Sequence, residues 1–141
     1  MLDQYRDLID ELLSAPQALR AMLAHRASPE ALGWVALLRD RDRAVHQRLQ
    51  RLQRETAPHL RALPPVDRLQ PEPVPVEQAD ALLAEFEAAR GELVSLLMNL
   101  TLRDWERTAT HDDGGIVSLA EEVERHVEFD EAVRARIQAL S

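Results

Sequence analysis

The chain has 141 residues, a formal net charge of −8, 45% hydrophobic and 30% charged residues, enough for one domain with one core and in keeping with a soluble helical globule. The acidic balance disfavours nucleic acid and an anionic membrane surface as partners, since both need a basic face. Cysteine and lysine are absent, which removes disulfides, thiol nucleophiles, thiolate metal sites, Schiff-base chemistry and a phosphate-loop lysine.

The opening Met1–Asp7 has neither a basic start nor an apolar core, so no signal peptide is expected. No apolar run approaches the roughly 20 residues of a membrane span, and a cytoplasmic protein is the expectation. Glycine is scarce, strand-like alternation does not stand out, and apolar residues recur at helical spacing. The first helix is expected from about Leu2 to Leu13, on the face Leu2, Tyr5, Ile9, Leu12 and Leu13. Ser14 with Gln17 three residues on has capping-box spacing, so a short separate piece from about Ala15 to Ala24 should follow, with a bend at Pro16. Ser28-Pro29 announces the second helix, a capping hydroxyl before a proline at the first helical position. It runs to about Thr56 on Trp34, Leu38, Val45, Leu49 and Leu52.

Six of the chain's eight prolines fall between Pro58 and Pro75. Such a stretch cannot stay helical and reads as a crossover running the height of a bundle. The third helix spans about Val76 to Leu100, on Ala79, Leu82, Phe86, Ala89, Leu93, Leu96 and Leu100. Thr101 to Asp104 reads as a cap for a short turn through Trp105, and His111 to Gly115 as a loop. Ser118 to Glu121 is a capping box opening a fourth long helix that ends near Leu140. The expected fold is thus an all-α four-helix bundle over residues 1–141, a single domain with a long Pro-rich crossover between helices 2 and 3.

On the fourth helix Leu119, Val123, His126, Asp130, Val133, Ile137 and Leu140 share one face at about 100° per residue. Two polar side chains therefore interrupt an apolar stripe, and on the second helix Arg41 does the same. A buried carboxylate must find a partner or take up a proton. Three arrangements satisfy that demand: an Arg41–Asp130 pair with His126 beside it that fixes helix register, a ligand-binding or catalytic pocket of the same three residues, or side chains reaching out to solvent. His25, His46, His59 and His111 are scattered, with no i,i+4 pairing, and read as surface or capping residues. Trp34 and Trp105 read as core or interface anchors. No nucleophile elbow, phosphate loop, zinc-protease or calcium-loop motif occurs.

Taken in order, these segments resemble the DinB family of damage-inducible four-helix bundles over nearly the whole length. Leu37 to Arg43 is similar to a family segment H-L-x-D-x-D-R, Phe86 to Arg90 to F-x-x-x-R, and Leu100 to Trp105, followed by Gly114-Gly115, to L-x-x-x-D-W and a glycine loop. Arg125 to Ile137 is similar to R-H-x-x-H-D-x-x-H-x-x-Q-I. The resemblance implies a divalent metal, often nickel or zinc, held by three histidines. Their positions fall here on Leu37, Phe129 and Val133, which have no lone pair to offer a metal. The expectation is therefore no metal and no cofactor, with those three residues packed together. The leading functional reading is a DinB-like protein without the metal, non-catalytic or metal-independent, that binds a small ligand or serves a stress response. One alternative is a transferase or isomerase dependent on a low-molecular-weight thiol, with His126 as acid/base, Asp130 as its orienter and Arg41 as anion clamp. Another is an interaction module that forms a homodimer or binds another protein.

Overall fold

A computed structural model describes residues 3–140, apart from the side chain of Gln4. Its elements are α1 (Asp3–Arg26), α2 (Pro29–Arg54), β1 (His59–Leu60), α3 (Ala79–Met98), α4 (Leu102–Trp105), β2 (Thr108–His111), β3 (Ile116–Ser118) and α5 (Leu119–Ala139). Leu2, expected on the first helical face, lies outside the described residues. The starts of α2, α4 and α5 follow their capping residues. Ser28 Oγ accepts from the Ala31 amide at 3.1 Å, and Thr101 and Ser118 form reciprocal capping boxes with Asp104 and Glu121. Each such cap stabilises its helix by about 1 kcal/mol.

The expected break near Ser14 does not occur. α1 is one helix with Pro16 inside it. A proline has no amide hydrogen, so the carbonyl four residues back loses its helical donor. That carbonyl is Leu12 O, and the Arg90 guanidinium donates to it at 2.9 Å. A donor from α3 thus replaces the missing helical bond. The apolar face carries on through Leu12, Ala15, Leu19 and Leu23, all buried, while Leu13 turns outward and is exposed. Ser14 caps nothing and donates to Glu11 O within its own helix.

The crossover leaves the C-terminal end of α2 and returns to its N-terminal end, where the Val74 amide donates to Pro29 O at 3.0 Å. α3 therefore runs parallel to α2, and the cross-links Arg39–Glu85 and Asp42–Arg90 ascend together. α5 runs antiparallel to α2, as Asp42–His126 and Arg48–Glu122 show. The crossover passes so close to α2 that a Cβ on Gly33 would come within 2.5 Å of Glu72 O.

A three-stranded sheet, ordered β1-β2-β3, was not expected from the sequence. β1 pairs parallel to β2 with Leu60 opposite His111, and β2 pairs antiparallel to β3 with Ala109 opposite Val117. Its strands are too short for periodicity to register over a helix-sized window. The sheet ties the first residues of the crossover to the segment before α5, and it leaves the bundle itself helical.

The core falls into two apolar clusters. One contains Leu12, Val45, Leu49, Leu93, Leu97 and Val123, with Tyr5 stacked on Trp105 at 4.4 Å between ring centroids. The other contains Leu19, Leu32, Leu38, Phe86, Phe129 and Val133. Along α1, α2 and α3 the change from one cluster to the other falls between Leu12 and Leu19, between Leu38 and Val45, and between Phe86 and Leu93. Asp42 and Arg90 occupy that level, so a polar layer crosses the bundle at mid-height. Among the described residues no helix is long and apolar enough to cross a membrane.

Candidate functional site

Four helices meet at the polar layer. Arg90 of α3 grips Asp42 of α2 with Nε and Nη2 at 2.9 and 3.1 Å and reaches Asp130 of α5 with Nη2 at 2.8 Å. Nη1 holds the Leu12 carbonyl of α1. His126 Nε2 lies 2.6 Å from Asp42 Oδ1. All four side chains are buried to within 2% of full enclosure. Burial alone would weaken the Arg90 charge, but the Asp42 and Asp130 carboxylates outweigh it and raise its pKa further. Arg134, one turn beyond Asp130, brings Nε to 3.6 Å from Asp130 Oδ2. Nδ1 of His126 is buried and has no hydrogen-bond partner among the described residues.

The expected Arg41–Asp130 pair is not formed. Asp130 belongs instead to Arg90 of α3, a helix whose apolar stripe shows no polar interruption in the sequence. Arg41 instead donates to Pro64 O at 2.9 Å and lies over the Phe129 ring, 3.8 Å from its centroid.

A second buried cluster stands beside the first. Arg48 donates to both Glu122 oxygens, at 3.2 and 2.9 Å, and to Arg61 O at 2.5 Å. His111 Nε2 lies 2.6 Å from Glu122 Oε1. Burial would raise the Glu122 pKa, but the hydrogen bonds from Arg48 and His111 prevail and lower it. His111 is 6% exposed, so the expectation of a surface or capping histidine is wrong there. The alternation Thr108-Ala109-Thr110-His111 puts Ala109 and His111 on one face of β2. That alternation, together with the Asp113-Gly114 hairpin signal, could have located His111 in the sequence. Gly114 adopts a φ of 83° in the turn.

Between these clusters and the crossover lies a cavity of about 290 Å³. α2 lines it with Arg41, Val45 and Arg48, and α5 with Glu122, Arg125 and His126. The crossover adds Ala62 and Leu63, the hairpin His111 and Asp113. Its arginines outnumber its carboxylates, and Glu122 is already engaged by Arg48. Among the described residues Arg41 has no carboxylate partner. Its pKa is lowered to about 10, first by burial and then by the like charge of Arg48, with Glu122 opposing. Of the residues singled out in the sequence, Arg41 and His126 line this cavity. Asp130 does not; it lies in the polar layer with Arg90.

Phe129 and Val133 are buried in the apolar cluster that includes Leu38 and Phe86, and Leu37 packs against it half-buried. None of the three side chains carries a donor atom for a metal, so these residues do not fit the ion implied by the resemblance. Among the described residues no other group of three histidine, aspartate or glutamate side chains is placed to hold a metal ion. The motif residues Asp42, Arg90 and Asp130 converge instead on the polar layer.

No family model matches the chain, and no curated protein matches it. Among solved structures it is similar to YfiT from Bacillus subtilis, described as a probable metal-dependent hydrolase with an unusual four-helix bundle topology. The likeness has a TM-score of 0.75 at 18% identity and covers 100% of this chain and 87% of that one. At that identity it speaks for the fold alone, an all-α, DinB-like four-helix bundle.

Proposed function

We propose that this chain is a ligand-binding member of the bundle class that takes a small organic anion in the Arg41 cavity and uses no metal at Leu37, Phe129 and Val133. The observation that carries the reading is Arg41, a half-buried guanidinium on the cavity wall that forms no ion pair among the described residues, the Glu122 carboxylate in the same cavity being held by Arg48. Burial of an unmatched charge is unfavourable, and an incoming carboxylate would form the charge-assisted pair that the fold withholds. The cavity volume lies at the low end for ligand sites. That supports a compact ligand over a bulky low-molecular-weight thiol with its substrate.

A second reading, an acid–base enzyme, draws on the Asp42–His126 bond: a buried carboxylate orienting an imidazole on a cavity wall is a common acid–base arrangement. Asp42 would be the orienter there, in place of Asp130. The binding reading is tested by titrating acetate, propionate and lactate against a chloride control while following the melting temperature. A ligand specific for the folded state at ten times its Kd stabilises by about 1.4 kcal/mol, a rise of a few degrees. Arg41→Gln should abolish the rise. No saturable rise with any of these acids, or an equal rise in Arg41→Gln, would contradict the proposal.

A further inference from the structure

We propose that residues 61–65 of the crossover form a strap that gates the cavity, and that an anion on Arg41 holds it shut; the coupling rests on the anion reading above. α2, α5 and the β2–β3 hairpin supply the other walls. The crossover contributes Ala62 and Leu63, from a segment that is neither helix nor strand. Arg61, Ala62, Pro64 and Pro65 are exposed and Leu63 is half-buried, so here one layer of chain lies between cavity and solvent. Both ends of the segment are fixed: Leu60 is buried in one apolar cluster and Val66 in the other.

Side chains hold the strap. Among the described residues no backbone–backbone hydrogen bond engages residues 61–64. Arg48 Nη1 donates to Arg61 O at 2.5 Å, Arg41 Nη1 donates to Pro64 O at 2.9 Å, and the Ala62 amide donates to Asp112 Oδ2 at 3.0 Å. Such bonds near the surface each contribute little, and a segment held by a few of them opens locally while the bundle stays folded. The fixed φ of Pro64 and Pro65 stiffens the strap, so it moves as a unit between its buried ends. Arg41 joins it to the cavity. A guanidinium has five N–H donors, and Arg41 uses one of them on Pro64 O. A carboxylate can take others without displacing the strap. The side chain that holds Pro64 is then itself fixed, and closing the strap costs less conformational entropy. The anion therefore binds the closed form more tightly than the open one and shifts the protein toward it.

Trypsin reads the opening, because the peptide bond after Arg61 is both a cleavage site and the held link: its carbonyl is on Arg48 and its amide on Asp112. The full chain is digested briefly under native conditions, and the first cuts are identified by mass spectrometry. Cutting after Arg51, inside α2, reports unfolding of the bundle, and the Arg61 cut should run well ahead of it. Acetate, propionate and lactate are each added at ten times the Kd from the melting titration. An acid that binds should slow the Arg61 cut about tenfold. Without acid, Arg41→Gln should speed that cut about two- to tenfold, and added acid should no longer slow it. Asp112→Ala leaves the cavity arginines in place; it should speed the cut by about the same factor and stay sensitive to acid. That variant decides the matter if Arg41→Gln does not fold. An acid that binds in an Arg41-dependent way but leaves the Arg61 cut unchanged, or hastens it, would overturn the strap while the anion reading stands. An Arg61 cut no faster than the Arg51 cut would do the same. If none of the three acids binds, both fall.

Discussion

Arg90 does for α1 what an amide hydrogen would have done, and that substitution has a measurable energetic signature. Arg90→Lys keeps the positive charge beside Asp42 and Asp130, but a single ammonium cannot span both carboxylates and the Leu12 carbonyl at 2.9 Å. Losing a hydrogen bond to a charged group costs about 1.5–3 kcal/mol, and stranding a buried carbonyl costs about 1–3 kcal/mol. Arg90→Lys should therefore destabilise by about 3–5 kcal/mol, a large part of the roughly 5–15 kcal/mol by which domains are stable. Pro16→Ala puts an amide hydrogen back within α1 and gives Leu12 O its helical donor. In the Arg90→Lys background it should recover the part of the loss that belongs to the stranded carbonyl. A double-mutant cycle by urea denaturation should then show a coupling of about 1–3 kcal/mol between positions 16 and 90. Additivity within about 0.5 kcal/mol would refute the idea that Arg90 stands in for the missing amide.

Glu122→Gln should destabilise by about 3–5 kcal/mol near pH 7, because it leaves Arg48 buried without its charge partner. The Glu122 pKa is lowered in the folded state, so its contribution is present above the ordinary value of 4.5 and is lost as pH falls through the folded value. The urea midpoint of the wild type should accordingly fall on acidification below about pH 4.5, and Glu122→Gln should show a shallower fall; parallel curves would count against the assignment. Gly33→Ala should lower stability by up to about 2 kcal/mol, since crowding against the crossover backbone outweighs the helical gain of about 1 kcal/mol; a higher melting temperature would show that the crossover yields. Replacing Leu37, Phe129 and Val133 together by histidine should remove about 1.5–3 kcal/mol of burial at each of the two buried positions. Zinc should restore part of that loss by binding only the folded state, and a melting temperature indifferent to zinc would contradict the register drawn from the resemblance.

What the chain alone makes legible is local. Caps at Ser28, Thr101 and Ser118, the proline-dense crossover and the helical periodicity of four long segments depend on neighbours a few residues away, and each appears where its residues place it. The buried stripe of α5, with His126 and Asp130 inside it, follows for the same reason. Partnership across helices does not. Arg41 and Arg90 are both arginines at helical positions. Which of them meets Asp130 depends on α3 running parallel to α2, and so on a crossover whose path no local rule sets. The same holds for Pro16. Its missing amide argues for a break, and only a donor arriving from α3 keeps α1 whole. His111 reads as a loop residue in the sequence because a strand of four residues is too short to show its period, and its partners lie far away in the chain, Leu60 opposite it in β1 and Arg48 and Glu122 at its ring. Short-range sterics and hydrogen bonding are encoded residue by residue. The choice among chemically equivalent charges is made by distances that exist only once the helices have packed.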